Sequence, residues 1–192
     1  MSKIAILTDS SCDIPQEMAE KYNIDIMSFH ILLDDVDYVE RESCSNEEFY
    51  AKMRAAKGVP STAAITPIQF CEKYCQYVDE GYTDVIHVPI NRSGSSTYNN
   101  AVMAQGMLRE ERPEHHLKIH LIDSHTYSMP FGWYLCEMAR KLQNGAEISH
   151  VIHEFESQMN KMEIVLGPYS LRQMKKSGRI SAAAAVMGEL MG

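Results

Sequence analysis

The run KIAILTDSSCD, residues 3–13, sets four apolar residues, Ile4 to Leu7, directly against a loop of hydroxyls and acids. A short apolar run closed by turn-forming residues reads as a strand, and its abrupt polar end marks the edge of a sheet. TDVIHV (83–88) and LKIHLID (117–123) have the same character. Between these runs the apolar residues recur every three or four positions. Ile68, Cys71, Tyr74, Cys75 and Val78 form one stripe, Ala101, Ala104 and Leu108 a second, and Phe131, Leu135, Met138 and Leu142 a third. Ile148, Val151, Ile152, Phe155 and Met159 form a fourth, and Phe49, Met53 and Ala56 a shorter fifth. Each stripe is the buried face of an amphipathic helix. Gly58, Gly81 and Gly145 stand just past helix ends, where a left-handed cap is needed. Strands alternating with helices of this length predict right-handed crossovers and an α/β fold, a mainly parallel sheet with helices on both faces. We expect this domain to occupy residues 1–163. A strand beginning in EIVLG (163–167) is expected to open a truncated second α+β domain over 164–192.

Composition excludes several classes of function. The net charge is −8, and no basic run is longer than Lys175-Lys176. Electrostatic attraction to nucleic acid or to an anionic membrane is therefore not expected. The N-terminal apolar run is far too short for a signal-peptide core or a membrane span, which predicts a cytoplasmic protein with no integral membrane association. The five cysteines, at 12, 44, 71, 75 and 136, lack the paired spacing of a disulfide framework and fit reduced thiols. Cys71 and Cys75 share a helix face, but no Cys-x-x-Cys or nearby histidine completes a metal set, so they read as small buried apolar residues.

Hydroxyls collect where strands end or helices begin. TDSSCD (8–13) follows the first strand, NRSGSST (91–97) follows the run at 83–88, DSHTYS (123–128) follows the run at 117–123, and PST (60–62) precedes a helix starting near Pro67. In open parallel sheets, ligands bind beyond the carboxyl ends of the strands, where helix N-termini offer free N–H groups. Hydroxyls there donate to a carboxylate or phosphate without adding charge. Ser, Thr, Asp and Asn are also the preferred N-caps, and each loop taken alone is explained by capping. Ser93, Ser95, Ser96 and Thr97 are more hydroxyls than one cap uses. That density points to an anion-facing turn.

Catalytic motifs fit poorly. Gly94-Ser95-Ser96-Thr97-Tyr98 lacks the final glycine of a nucleophile elbow. His125 serving Ser95 from a neighbouring loop is the alternative enzymatic reading, a serine-dependent acyl or phosphoryl transferase. No phosphate loop, dinucleotide fingerprint or H-E-x-x-H occurs, so neither a nucleotide cofactor nor a metal is expected.

The order of TDSSCD, PSTAAITPIQF, SSTYNNA, IDSHTYSM and KKSGRIS resembles that of the successive signatures of the DegV family of bacterial fatty-acid-binding proteins, over about residues 3–181. The resemblance implies a protein that is not an enzyme. It implies an α/β domain joined to a smaller one, with a long-chain fatty acid such as palmitate held between them and presented to a separate fatty-acid kinase for phospholipid synthesis. Carried over, Thr62 and Ser95 would hydrogen-bond the carboxylate, and Arg179 would lend it positive charge. Ser10, Ser96 and Ser124 complete the candidate ligand-binding set on the same loops. Ala63, Ala64 and Ile65 depart from the family's usual Ser-Gln-Pro, and Ser96, Pro130 and Ser177 stand where glycine is common.

Overall fold

The computed structural model describes residues 3–165 and 167. The chain divides into two compact units, one containing residues 3–29 and 64–163, the other containing 30–63. The expected second domain at 164–192 lies almost wholly outside the described residues. Over 163–165 the chain takes no regular structure, so the strand expected at 163–167 does not begin there.

The first unit is built on a four-stranded sheet of β1 (Ile4–Asp9), β2 (Ile24–Met27), β6 (Asp84–Val88) and β7 (Lys118–Leu121), in the order β2-β1-β6-β7. Every pairing is parallel. Successive side chains of a strand point to opposite faces, and β1 supplies both cores. Ile6 packs with Ile86, Phe131, Leu135, Val151 and Phe155. Ala5 and Leu7 pack with Val85, Phe70, Tyr74, Ala101 and Leu108. The first core lies under α1 (Gln16–Tyr22), α5 (Met129–Gln143) and α6 (Ile148–Met159), the second under α3 (Pro67–Asp79) and α4 (Thr97–Glu111). A parallel sheet needs such cover on both faces because its crossover helices lie there. The α/β fold read from the sequence is the fold observed.

Local signals explain the boundaries. Thr66 caps α3, accepting from the Gln69 amide while the Gln69 side chain accepts from the Thr66 amide, and Pro67 opens the helix. Gly81 and Gly145 adopt φ of 75° and 84°, and the amides that follow them close back onto Tyr77 and Lys141. Gly58 does not take this conformation, because α2 (Asn46–Ala55) ends earlier, at an extended Ala56. Ile68, expected in the buried stripe of α3, is 60% exposed, and Phe70 and Tyr77 fill the core instead. The stripe of α2 buries no residue completely.

The second unit holds an antiparallel sheet of β3 (His30–Leu33), β4 (Val36–Val39) and β5 (Ser61–Ala63), in the order β4-β3-β5, together with α2. Asp34 and Asp35, both with positive φ, make the two-residue turn between β3 and β4. The Asp34 carboxylate accepts from the amides of Lys57 and Gly58 at 2.9 and 2.8 Å. Among the described residues no helix is long and apolar enough to cross a membrane.

Two features of the first unit lead to measurable outcomes. Gly132 in α5 lies against the 3-10 turn Ser10–Cys12, and a Cβ added there would sit 2.2 Å from the Cys12 carbonyl oxygen. Gly132→Ala is expected to lower stability by about 1–3 kcal/mol in denaturant unfolding, because backbone must move to admit the methyl group. His87 on β6 is fully buried, with its Nδ1 2.7 Å from the Tyr74 hydroxyl, and burial pushes its pKa from 6.5 down to about 3. The folded state thus favours the neutral ring. Its contribution is complete above about pH 6.5 and is lost as the pH falls towards about 3. Over that window the stability of the wild type should fall more steeply than that of His87→Gln, by up to about 1.4 kcal/mol per pH unit. Equal acid slopes would refute this assignment.

Candidate functional site

In a parallel sheet the chain leaves every strand at the same edge, so the loops after β1, β6 and β7 are neighbours. Two buried carboxylates lace them together. Asp9, at the end of β1, accepts from the Ser11 amide and hydroxyl at 3.1 and 2.5 Å and, across to the next loop, from the Ile90 amide at 2.7 Å. Asp123, just past β7, accepts from the amides of Arg92 and His125 at 3.2 and 3.0 Å. Its second oxygen lies 3.8 Å from Arg92 Nε and 3.5 Å from His125 Nδ1, within ion-pair range. Asn91 donates to the carbonyl of His125 and accepts from the Ser93 amide. Buried backbone N–H groups need such partners, and carboxylates form the stronger charge-assisted bonds.

The same edge holds strained backbone. Asp13, His125 and Ser128 have φ of 52°, 54° and 62°, and Ser128 combines its value with ψ of −158°. That region is occupied almost only by glycine, and each such residue costs about 1–3 kcal/mol. Ser128 is held there by donating its amide to Ser11 O at 3.0 Å and its hydroxyl to the Asp13 carboxylate. At Gly94 a Cβ would come within 2.4 Å of the Tyr127 hydroxyl, so a larger residue there would require the Tyr127 side chain to shift.

The sequence-derived candidates divide into groups. Ser95 is half-buried at the start of α4. Its Oγ lies 2.8 Å from Thr97 Oγ1 and accepts from the Thr97 amide at 3.3 Å. Two hydroxyls sharing one hydrogen bond leave one O–H proton over. With Thr97 donating, the Ser95 proton is left for an oxygen of a ligand. Ser96 is exposed and its side chain makes no cap bond. Ser10 and Ser124 lie on the neighbouring loops but are 2% and 0% exposed. Ser10 Oγ accepts from the Phe29 amide at 3.0 Å, and Ser124 Oγ donates to the Thr126 carbonyl at 3.1 Å. Both brace main chain. Thr62 is an exposed residue of β5 in the other compact unit, opposite Ile31. Arg179 lies outside the described residues.

The Ser95–His125 pairing required for a serine nucleophile is not formed. The hydroxyl partner of Ser95 is Thr97, and the imidazole of His125 faces Asp123. His125 instead lines an open, polar crevice of about 640 Å³ together with Arg92, Tyr98, Asp123, His153 and Lys161. The Arg92 guanidinium sits 5.8 Å from the centre of the Tyr98 ring. Sequence reasoning missed the roles of Asp9 and Asp123. The signal was present as Asp-Ser, repeated directly after two strands.

The comparisons with known proteins agree with this architecture. A family model described as "Uncharacterised protein, DegV family" matches residues 3–192. A DegV domain-containing protein of Clostridium perfringens is 30% identical over 193 residues, covering 100% of this chain and 66% of that protein. The crystal structure of a fatty acid binding DegV family protein from Streptococcus agalactiae matches with a TM-score of 0.82 at 26% identity, covering 99% of this chain and 65% of that one. A DegV lipid binding protein from Thermotoga maritima matches with a TM-score of 0.72 at 28% identity, over 83% and 55% of the two chains. The chain thus spans just under two thirds of the length of the first of these relatives.

Loss of the Asp123 carboxylate has an expected outcome of its own. Asp123→Ala leaves the Arg92 and His125 amides without their acceptor. Unfolding free energy should drop by about 1–3 kcal/mol, and hydrogen exchange should accelerate at these two amides while that of the β1 amides changes less. Unchanged protection at both amides would show that the carboxylate does not hold the loops.

Proposed function

The chain belongs to the DegV family, and on that premise we propose that it binds a long-chain fatty acid non-covalently, holds its carboxylate with hydroxyls at the strand ends, and presents it to a separate fatty-acid kinase in the cytoplasm. The observation that carries this reading is the Ser95–Thr97 hydroxyl pair at the start of α4, with one donor proton left for an incoming oxygen. It is supported by the fatty acid binding of the relative from Streptococcus agalactiae. A buried carboxylate must be hydrogen-bonded, or it is displaced to water or protonated. Neutral hydroxyls and a helix N-terminus meet that need without the geometry of a salt bridge. Thr62 and Arg179 are proposed as further carboxylate ligands on the family resemblance alone, and Ser96 on its place beside Ser95 in the sequence. Ser10 and Ser124 contribute by fixing the loops on which the donors stand.

Energetically the tail dominates. Each buried methylene contributes about 0.8 kcal/mol, whereas a hydroxyl hydrogen bond contributes about 0.5–1.5 kcal/mol net. The hydroxyls therefore orient the acid and select for it.

Organic extraction of the purified chain followed by mass spectrometry should release a fatty acid. Ser95→Ala and Thr62→Ala should each weaken rebinding of palmitate by roughly three- to tenfold, equivalent to about 1 kcal/mol. Absence of a lipid in the extract, together with failure of the stripped protein to take up palmitate, would overturn the reading. Acyl phosphate formation by a fatty-acid kinase, with and without this protein, tests presentation separately.

A further inference from the structure

Helix α3 places Cys71 and Cys75 one turn apart, so both thiols emerge on the face that packs against α4. There they meet Glu111, the last residue of α4. The two Sγ atoms and a Glu111 carboxylate oxygen all lie within 4.8 Å of one another. Cys75 Sγ is 3.6 Å from Glu111 Oε2. The thiols are 1% and 8% exposed, whereas Glu111 is exposed, so the cluster is closed on the side of the core and open at the helix ends. Packing alone accounts for two buried cysteines. It does not account for a carboxylate that accepts from one of them and has an oxygen within 4.8 Å of the other.

From this cluster we infer a binding site for one soft divalent metal ion of the zinc class, with Cys71 Sγ, Cys75 Sγ and a Glu111 oxygen as ligands and water in the fourth position. The inference is independent of the fatty-acid reading. Zinc-class ions bind Cys sulfur at about 2.3 Å and carboxylate oxygen at about 2.0–2.2 Å in tetrahedral sites, and three protein ligands plus water is an established arrangement. The three donor atoms already lie within 4.8 Å of one another, close to the separations that ligands of one such ion have. Binding forms two metal–sulfur bonds and one metal–oxygen bond. Both thiol protons go to solvent, and the local charge changes from −1 to −1, since the gain of a 2+ ion matches the loss of two protons. Thiolate ligands select soft ions over magnesium or calcium. The site joins α3 to α4, so an ion there would clamp the two helices that cover one face of the sheet.

Cadmium(II), a thiophilic probe with a sulfur-to-metal charge-transfer absorption, provides the test in a Cys44→Ser background that removes the more accessible thiol. One equivalent should saturate the ultraviolet band and raise the melting temperature. X-ray absorption at the cadmium edge should show two sulfur neighbours. Cys71→Ser should abolish the band, with folding checked by circular dichroism. Glu111→Gln should keep the band and weaken binding about tenfold or more. No band at one equivalent, fewer than two sulfur neighbours in the unmutated cluster, a band that survives Cys71→Ser, or unchanged affinity in Glu111→Gln would each overturn the assignment.

Discussion

The buried carboxylate at the end of a parallel strand is the interaction on which the rest of this molecule depends. A parallel sheet covered on both faces delivers several loops to one edge, and each arrives with backbone N–H groups that the sheet no longer satisfies. Asp9 and Asp123 accept those groups across loop boundaries, at 2.7 Å to Ile90 and 3.2 Å to Arg92. Acceptance by a charged group is stronger than by a neutral one. The two acids therefore hold the first residues of the loop that leads from β6 to α4.

This division of labour separates support from contact. The fully buried hydroxyls, Ser10 and Ser124, are tied to backbone partners, and Ser128 is held in a conformation that serine rarely adopts. Ser95 is half-buried and, among the described residues, its side chain pairs with Thr97; with Thr97 donating, it retains the capacity to donate. Strained and braced backbone beside an under-used donor suits the proposed binding role, because the ordering cost is then met during folding rather than on binding. The same organisation argues against a serine nucleophile, which requires its base within hydrogen-bond reach; here the hydroxyl partner of Ser95 is Thr97.

The helix pair α3 and α4 shows how packing converts sequence ambiguity into chemistry. In the sequence, Cys71 and Cys75 are two small apolar residues on a stripe that also includes Ile68. In the fold Ile68 turns outward, Phe70 and Tyr77 take the core, and the end of α4 brings Glu111 to the thiols. The residues 71 and 111 are forty positions apart. Nothing local links them.

By itself, the sequence determined the elements whose period is strong and whose ends are chemically marked. The runs at 3–7, 83–88 and 117–123 became β1, β6 and β7, and the stripes on α4, α5 and α6 became buried faces, because a strand covered on both sides must be continuously apolar and a helix covered on one side must be periodic. It also marked the hydroxyl-bearing loops, since strand ends and helix starts demand the same short polar residues. It did not disclose β2 or the antiparallel sheet at 30–63, whose short, half-exposed strands carry too little apolar pattern to stand out. Nor did it separate the hydroxyls that brace from those left to donate. Only the tertiary structure decided that, because whether Ser10, Ser95 or Ser124 has a spare proton depends on which backbone group another part of the chain brings within 3 Å, and hydrogen bonds of that kind leave no trace in the spacing of residues along the chain.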